Sequence, residues 1–229
     1  MAEAPLRIAI LGGTGALGRA LAWRWAKAGL DVIVGSRQAE KARLAAAEIA
    51  RRAGRPVGAM GNRPAAAAGA IVVLAVPYAH QRPILEEVRA EVQGKVLVDA
   101  TVPLRPPQVT RVQLPPEGSA AKAAQAVLGP GVKVVSAFHN VAAGRLGASE
   151  GAIDCDVLVA GDDAEARQAV IGLVEAAGLK GWHAGPLDNS AVAEALTSAL
   201  IFINRRYGID GAGIRITGEP KPSPGRKPT

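Results

Sequence analysis

The sequence predicts an α/β fold with a doubly wound, mostly parallel sheet and a small C-terminal helical region. Short, continuous apolar segments alternate with segments whose apolar residues repeat at helical spacing. The apolar segments lack period-two alternation, which is typical of strands buried on both faces of a parallel sheet. Hydrophobic residues make up 49% of the 229 residues and aromatic residues only 3%, so small aliphatic side chains must form the core.

The first half of the chain contains five predicted strands, each followed by a helix or a loop. We predict strands over residues 7–11, 31–35, 56–60, 71–76 and 95–100. One helix follows GGTGALG and ends at Gly29, with Leu17, Ala20, Leu21, Trp25 and Ala28 inward, and others cover 38–53 and 80–92. Five prolines make 101–118 irregular, and we interpret it as an active-site or dimer-contact loop.

The second half continues the alternation and ends in a long helix. We predict helices near 119–128 and over 163–177, strands over 132–138 and 155–161, and a final core strand over 179–185. Residues 189–206 form an amphipathic helix, which Asp188, Asn189 or Ser190 caps and Gly208 closes. Its apolar stripe consists of Val192, Ala195, Leu196, Ala199, Leu200 and Ile203, which repeat at helical spacing.

We divide the chain into three parts on this pattern. Residues 1–150 are the main α/β core, residues 151–217 a smaller part that completes the sheet, and residues 218–229 a disordered tail. No apolar run reaches the ~18 residues of a membrane span, and the N-terminus has no signal-peptide pattern, so we expect a cytoplasmic protein with no membrane partner.

Composition limits the classes of ligand and partner. The net charge of +7 and a pI of about 10.0 favour anionic ligands, yet no basic run with interleaved aromatic residues suggests nucleic acid. A single cysteine, Cys155, excludes a disulfide within the chain and fits a reducing compartment. The three histidines lie far apart without ligand spacing, so we expect no metal site.

A glycine-rich loop lies between the first strand and the first helix. Gly13-Thr14-Gly15-Ala16-Leu17-Gly18 fits the G-x-G-x-x-G pattern, in the strand-to-helix position that the dinucleotide-binding Rossmann fold requires. Gly13 would permit the turn, Gly15 would let a pyrophosphate approach, and Gly18 would allow close packing of helix on strand. The pyrophosphate would bind the amides of the helix N-terminus.

The end of the second strand indicates which dinucleotide binds. A carboxylate there binds the free 2′-hydroxyl of NAD, whereas an arginine accommodates the 2′-phosphate of NADP. This sequence has Ser36 and Arg37 at that point, with Lys41 one helical turn later and no acid at the strand end. The sequence therefore predicts NADP as the cofactor.

These motifs together resemble the NADPH-dependent reductases of the deazaflavin coenzyme F-420. The resemblance extends from Ile8 to about Ile216 and is carried by GGTGALG (12–18), VGSRQAEKA (34–42), AVPYAH (75–80), VVSAFHNV (134–141), AGPLDNS (184–190) and GAGIRI (211–216). It implies NADP and coenzyme F-420 as ligands, hydride transfer between them, and a homodimer with the C-terminal helices around a cleft.

The resemblance also implies where the two ligands meet. The deazaflavin ring would stack on the nicotinamide near the turn that follows the fourth strand, the loop after the strand at 132–138, and the C-terminal GAGIRI segment. The residues implied are Ala75, Val76, Pro77, His80, Ser136, His139, Asn140, Val141, Gly213 and Ile214.

The predicted chemistry needs alignment of two cofactors more than a catalytic side chain. We assign no catalytic residue, and we interpret His139 as a ligand contact in preference to a proton donor. Two alternatives remain open: another NADPH-dependent reductase that uses a flavin or a metal as acceptor, and a non-catalytic NADP-binding redox sensor.

Overall fold

A computed structural model describes residues 6–148 and 151–218, and it contains one eight-stranded sheet. The strand order is β3-β2-β1-β4-β5-β6-β7-β8, and every neighbouring pair is parallel except β6 and β7. This confirms the predicted fold class. The strands are β1 (Arg7–Leu11), β2 (Asp31–Ser36), β3 (Gly58–Gly61), β4 (Ile71–Leu74), β5 (Val96–Asp99), β6 (Lys133–Ser136), β7 (Asp156–Gly161) and β8 (Lys180–Gly185).

Eight helices connect or flank these strands in the described part of the chain. They are α1 (Ala16–Lys27), α2 (Ala39–Ala53), α3 (Asn62–Ala68), α4 (Gln81–Val88), α5 (Ala120–Leu128), α6 (Ala143–Ala148), α7 (Ala164–Ala176) and α8 (Ser190–Tyr207). Short 3₁₀ turns precede α4 and α8.

Two of these helices have no counterpart among the predicted elements. The sequence of α3, NRPAAAA, has no large apolar residue to mark a period, and its proline lies in the first turn, where a helix tolerates it. The sequence of α6, AGRLGA, is short and holds two glycines. The predicted helix over 80–92 is also shorter, because α4 ends at Val88.

The core has one layer on each face of the sheet. Helices α1, α2 and α7 cover one face, and α3, α4 and α5 cover the other. Trp25 of α1 is fully buried, donates a hydrogen bond of 2.7 Å to the Leu173 carbonyl, and meets Phe138 edge to face. Trp23 and Arg24 are buried too, whereas Ala28, predicted to face inward, is exposed.

Helix α8 is present where the sequence predicts it, but its apolar stripe is only partly buried. The helix buries Ser190, Ala193, Glu194, Ser198 and Leu200. Of the predicted apolar stripe, Leu200 is thus buried, Ala195, Leu196 and Ile203 are half-buried, and Val192 and Ala199 are exposed. The side chains of Val192 and Phe202 are 59% and 55% exposed. The physical reason is a polar contact: Glu194 and Ser190 bind the start of α5, and this contact sets the rotation of the helix.

The ends of α8 and the last strand also differ from the predictions in detail. No side chain caps α8 at Asn189, because a 3₁₀ turn leads directly into the helix, whereas Gly208 closes it with φ +64° as expected. Strand β8 lies at the edge of the sheet and is half-exposed, so it is not a core strand. The division at residue 150 remains a prediction. The predicted disordered tail lies outside the described residues apart from Gly218.

Candidate functional site

The glycine-rich loop between β1 and α1 has a shape that only glycines allow. Gly12 has φ +83°, and a Cβ there would lie 2.4 Å from the Ala75 carbonyl oxygen. A Cβ on Gly13 would lie 2.9 Å from a Val34 methyl, and one on Gly18 would lie 2.5 Å from the Gly12 carbonyl oxygen. The turn assigned to Gly13 is therefore made by Gly12, while Gly13 and Gly18 provide space for the neighbouring strand and helix.

The N-terminus of α1 is suited to a bound phosphate. The first intrahelical bond is donated by Arg19 to Gly15, so the amides of Ala16, Leu17 and Gly18 have no acceptor within the helix. The first turn holds no acidic residue. Gly15 is exposed at this end, where exposed N–H groups and the helix dipole favour an anion.

A cavity of about 560 Å³ opens from this loop and reaches the ends of β2, β3 and β4. It brings together nine of the predicted site residues. These are Thr14, Gly15, Ser36, Arg37, Lys41, Ala75, Val76, Pro77 and His80. Gly12, Gln38, Asn62 and Ile84 line it as well.

The corner of the cavity at the end of β2 is basic. Ser36 is buried, and its Oγ accepts a 3.2 Å hydrogen bond from the Gln38 amide, which leaves the hydroxyl proton free to donate to a ligand. Arg37 and Lys41 are exposed at the start of α2, and neither makes an ion pair with any described residue. This corner can hold a dianion such as a phosphate monoester.

The remaining predicted contacts form a separate cluster near the ends of β5, β6 and the start of β7. Ser136, His139 and Asn140 are almost completely buried and do not line the cavity. Within the described residues, Ser136 Oγ, Thr101 Oγ1, Asn140 Oδ1 and both ring nitrogens of His139 are buried without a hydrogen-bond partner. Several such atoms together are unusual in a folded core and mark a place where water or a ligand could bind.

His139 is the titratable group of this cluster. Burial lowers the pKa of its imidazole to about 4, and the Thr101 backbone opposes this only in part. The ring is therefore neutral at neutral pH and is a poor proton donor. Phe138, just before it, has φ +70°, a left-handed conformation that costs energy for an aromatic residue.

The C-terminal segment packs beside this cluster. The Asp156 amide donates to the Ile214 carbonyl at 2.8 Å, and Asn140 Nδ2 donates to the Asp156 carbonyl at 2.7 Å. A Cβ on Gly213 would lie 2.6 Å from Cys155 Sγ. Asn140, Gly213 and Ile214 thus meet around the start of β7, with Val141 half-buried nearby.

Two buried carboxyl groups bind neighbouring helices near the end of β5 and the start of α8. Glu194 of α8 accepts hydrogen bonds from the first amides of α5, Ala120 at 2.6 Å and Ala121 at 3.1 Å. Asp99, at the end of β5, accepts from Gln81 Nε2 at 2.7 Å. Burial raises the pKa of Glu194 to about 8, and Asp99 adds to this shift; burial raises the pKa of Asp99 to about 6.

Sequence reasoning missed several of these groups. Asn62 directly follows β3, and Asp99 ends an apolar strand, so the rule that ligands bind at the carboxyl ends of parallel strands would have selected both. Glu194 lies within an ordinary helical pattern and carries no such signal. In the described chain, no group of three His, Cys, Asp or Glu residues could hold a metal ion, and no helix has the length and apolarity of a membrane span.

Comparisons with known proteins agree with this geometry. Residues 7–103 match the family described as NADP oxidoreductase, coenzyme F420-dependent. The chain is 41% identical to the F420-dependent NADP reductase of Methanocaldococcus jannaschii, over 93% of this chain and 98% of the relative. It is 39% identical to the protein of the same name from Methanothermobacter thermautotrophicus, over 94% and 97%.

Solved structures show the same fold. An Arthrobacter protein assigned as an F420-dependent NADP reductase superposes with a TM-score of 0.78 at 28% identity, covering 92% of this chain and 99% of that one. A reductive aminase from Aspergillus terreus, at 19% identity and a TM-score of 0.59, shares the fold over 90% of this chain and 62% of its own. Identity near 40% across almost the whole chain, together with the matched glycine loop, shows that this chain belongs to the F420-dependent NADP reductase family.

Proposed function

We propose that this protein transfers a hydride between NADP(H) and the deazaflavin coenzyme F-420. One observation carries the nucleotide half of this proposal: a single cavity joins the phosphate-binding loop to a strand end that has Ser36, Arg37 and Lys41 and no carboxylate. Membership of the F420-dependent NADP reductase family supports the deazaflavin as the second ligand.

The residues of the cavity can bind and orient NADP(H). The amides at the start of α1 would hold the pyrophosphate, and Ser36, Arg37 and Lys41 the 2′-phosphate. When both cofactors are bound, the nicotinamide C4 supplies the hydride, the deazaflavin C5 accepts it, and the deazaflavin N1 takes a proton. The protein contributes alignment and exclusion of water, so it needs no nucleophile.

The orphaned polar cluster is the proposed place for the deazaflavin. Ser136, His139 and Asn140 offer unpaired donors and acceptors, and Val141, Gly213 and Ile214 lie beside them. A neutral His139 can accept or donate one hydrogen bond to the ligand. The proton that the deazaflavin N1 takes up would come from solvent, which is a simpler route than transfer from His139.

We further propose a homodimer formed through the outer face of α8. That face exposes Val192, Ala199 and Phe202, and Tyr207 and Ile209 continue the apolar surface at the end of the helix. Several large apolar side chains exposed on one helix and its end support a protein interface there. The single cysteine, Cys155, is buried and unpaired, which fits a cytoplasmic location.

The proposed reaction can be tested directly with the purified full-length protein. NADPH and oxidised coenzyme F-420 are mixed with the enzyme, and bleaching of the deazaflavin's visible absorbance is followed, with NADH as the control donor and FMN or FAD as control acceptors. We expect rapid bleaching with NADPH and slow bleaching with NADH.

Two other outcomes would assign the protein differently. Tight NADPH binding with electron transfer to FMN or FAD only would indicate a flavin reductase. Tight NADPH binding without transfer to any acceptor would indicate a redox sensor.

A further inference from the structure

Asn62 is a buried polar residue of the cavity that the phosphate contacts leave unused. It is the first residue of α3, is 3% exposed, and lines the nucleotide cavity. Parallel pairing of β2 and β3 places Ser36 opposite Gly61. Asn62 therefore leaves the sheet beside Arg37, at the adenosine end of the cavity.

A neighbouring carboxylate fixes the orientation of the Asn62 amide. Asn62 Nδ2 donates a hydrogen bond of 3.3 Å to Glu87 Oε2 of α4. An ionised carboxylate accepts hydrogen bonds and cannot donate them, so the amide nitrogen must face Glu87. The amide then offers a ligand Oδ1, an acceptor on the side away from Glu87, and the second N–H of Nδ2, which Glu87 does not use.

An acceptor at this place discriminates between the groups of the bound nucleotide. The 2′-phosphate oxygens are acceptors and would be repelled by Oδ1, whereas the exocyclic amino group of adenine is a donor. The side chains of Ile84 and Pro77 line the same cavity and offer apolar surface to a flat base.

We propose that Asn62 recognises the adenine amino group of NADP(H) and that Glu87 is a positioning residue that holds the amide in this orientation. The inference rests on the proposed function only in taking NADP(H) as the ligand. It concerns recognition of the adenine base. The glycine loop and the basic corner contact phosphates and do not distinguish one base from another.

The test compares NADPH with its hypoxanthine analogue, in which a carbonyl acceptor replaces the amino donor. Dissociation constants of both reduced dinucleotides are measured by titration calorimetry on the full chain, without coenzyme F-420. We expect wild type to prefer NADPH by about tenfold, since facing acceptors lose one hydrogen bond and leave a polar atom unpaired.

Three variants identify the source of that preference. Asn62→Ala should bring the two dissociation constants within about twofold of each other. Glu87→Gln, an exposed change that leaves the fold intact, should narrow the preference, because the Asn62 amide can then turn its nitrogen toward the base. Glu86→Gln, the matched control on the same helix, should keep the tenfold preference; its own contact is a surface ion pair with Arg82.

The outcomes that overturn the inference are distinct from failure of the proposed function. Equal binding of the two dinucleotides by wild type, or equal weakening of both by Asn62→Ala, would show that Asn62 binds the ribose or nothing at all. Failure of the proposed function would appear separately, as absence of NADPH binding or of deazaflavin bleaching by wild type.

Discussion

The buried carboxyl group of Glu194 predicts that the free energy of unfolding falls as the pH rises. The substitution Glu194→Gln should abolish this pH dependence. In the folded chain its pKa is raised to about 8 from an ordinary 4.5, so the folded state binds a proton that the unfolded state releases. Its contribution is fully present below pH 4.5 and is lost as the pH rises through 8. The slope is at most about 1.4 kcal/mol per pH unit.

A window from pH 6.5 to 8 isolates this effect. The pKa of His139 is lowered to about 4 from 6.5, so its effect has the opposite sign and is almost complete at pH 6.5, with about 0.4 kcal/mol of stabilisation left above that pH. The raised pKa of Asp99, about 6, also lies below the window. Within the window, wild type should therefore lose about 1.5 kcal/mol, or roughly 3–6 °C in Tm for a chain of this size.

The assay is urea unfolding followed by tryptophan fluorescence at several pH values. At pH 6.5, Glu194→Gln should be less stable than wild type, because the NH₂ of the new amide is a donor and faces one of the two backbone N–H groups that Glu194 accepts from. The free energy of unfolding of this variant should stay nearly constant up to pH 8. Glu175→Gln, an exposed change on α7, should follow wild type. Parallel curves for wild type and Glu194→Gln would refute the reasoning and show that Glu194 is ionised throughout.

Three further perturbations test the nucleotide site and the outer face of α8. Arg37→Ala should weaken NADP binding by about 1.5–3 kcal/mol, the size of a charge-assisted hydrogen bond, and leave NAD binding almost unchanged; equal losses for both dinucleotides, measured by titration calorimetry, would contradict the 2′-phosphate assignment. Gly12→Ala should destabilise the chain by at least about 2 kcal/mol in a urea titration, since it combines a positive φ with a carbonyl oxygen 2.4 Å from the new Cβ. The control Gly54→Ala, at a residue with φ +68° and open space around it, should cost only about 1 kcal/mol. Phe202→Glu should convert the proposed dimer to monomer in light scattering, and an unchanged mass would exclude this face as the interface.

The sequence was sufficient to predict most of the sheet and to select several residues that line one cavity. Continuous apolar strands and a glycine loop are local signals, so β1, β2 and the residues that follow them could be placed without tertiary information. Ser36, Arg37 and Lys41 were predicted because strand ends in a parallel sheet share one edge, and the structure brings all three into one cavity.

The rotation of α8 could not be predicted, because a long-range polar contact determines it. Hydrophobic periodicity shows that the helix has an apolar stripe, but the contact of Glu194 with the start of α5 decides which part of the stripe is buried. Leu200 is buried, whereas Val192 and Ala199 are exposed. The orphaned atoms around His139 are likewise visible only in three dimensions.

The packing of Gly213 against Cys155 has a practical consequence for experiments on this protein. The thiol is 7% exposed, burial raises its pKa, and the C-terminal segment covers it, so alkylating reagents should not reach it in the folded chain. The native protein thus resembles a cysteine-free background. A cysteine introduced at Ala199, on the outer face of α8, would be the reactive one and could carry a spin label or fluorophore. Distances between two such probes would test the proposed dimer and its geometry directly, without prior removal of the natural thiol.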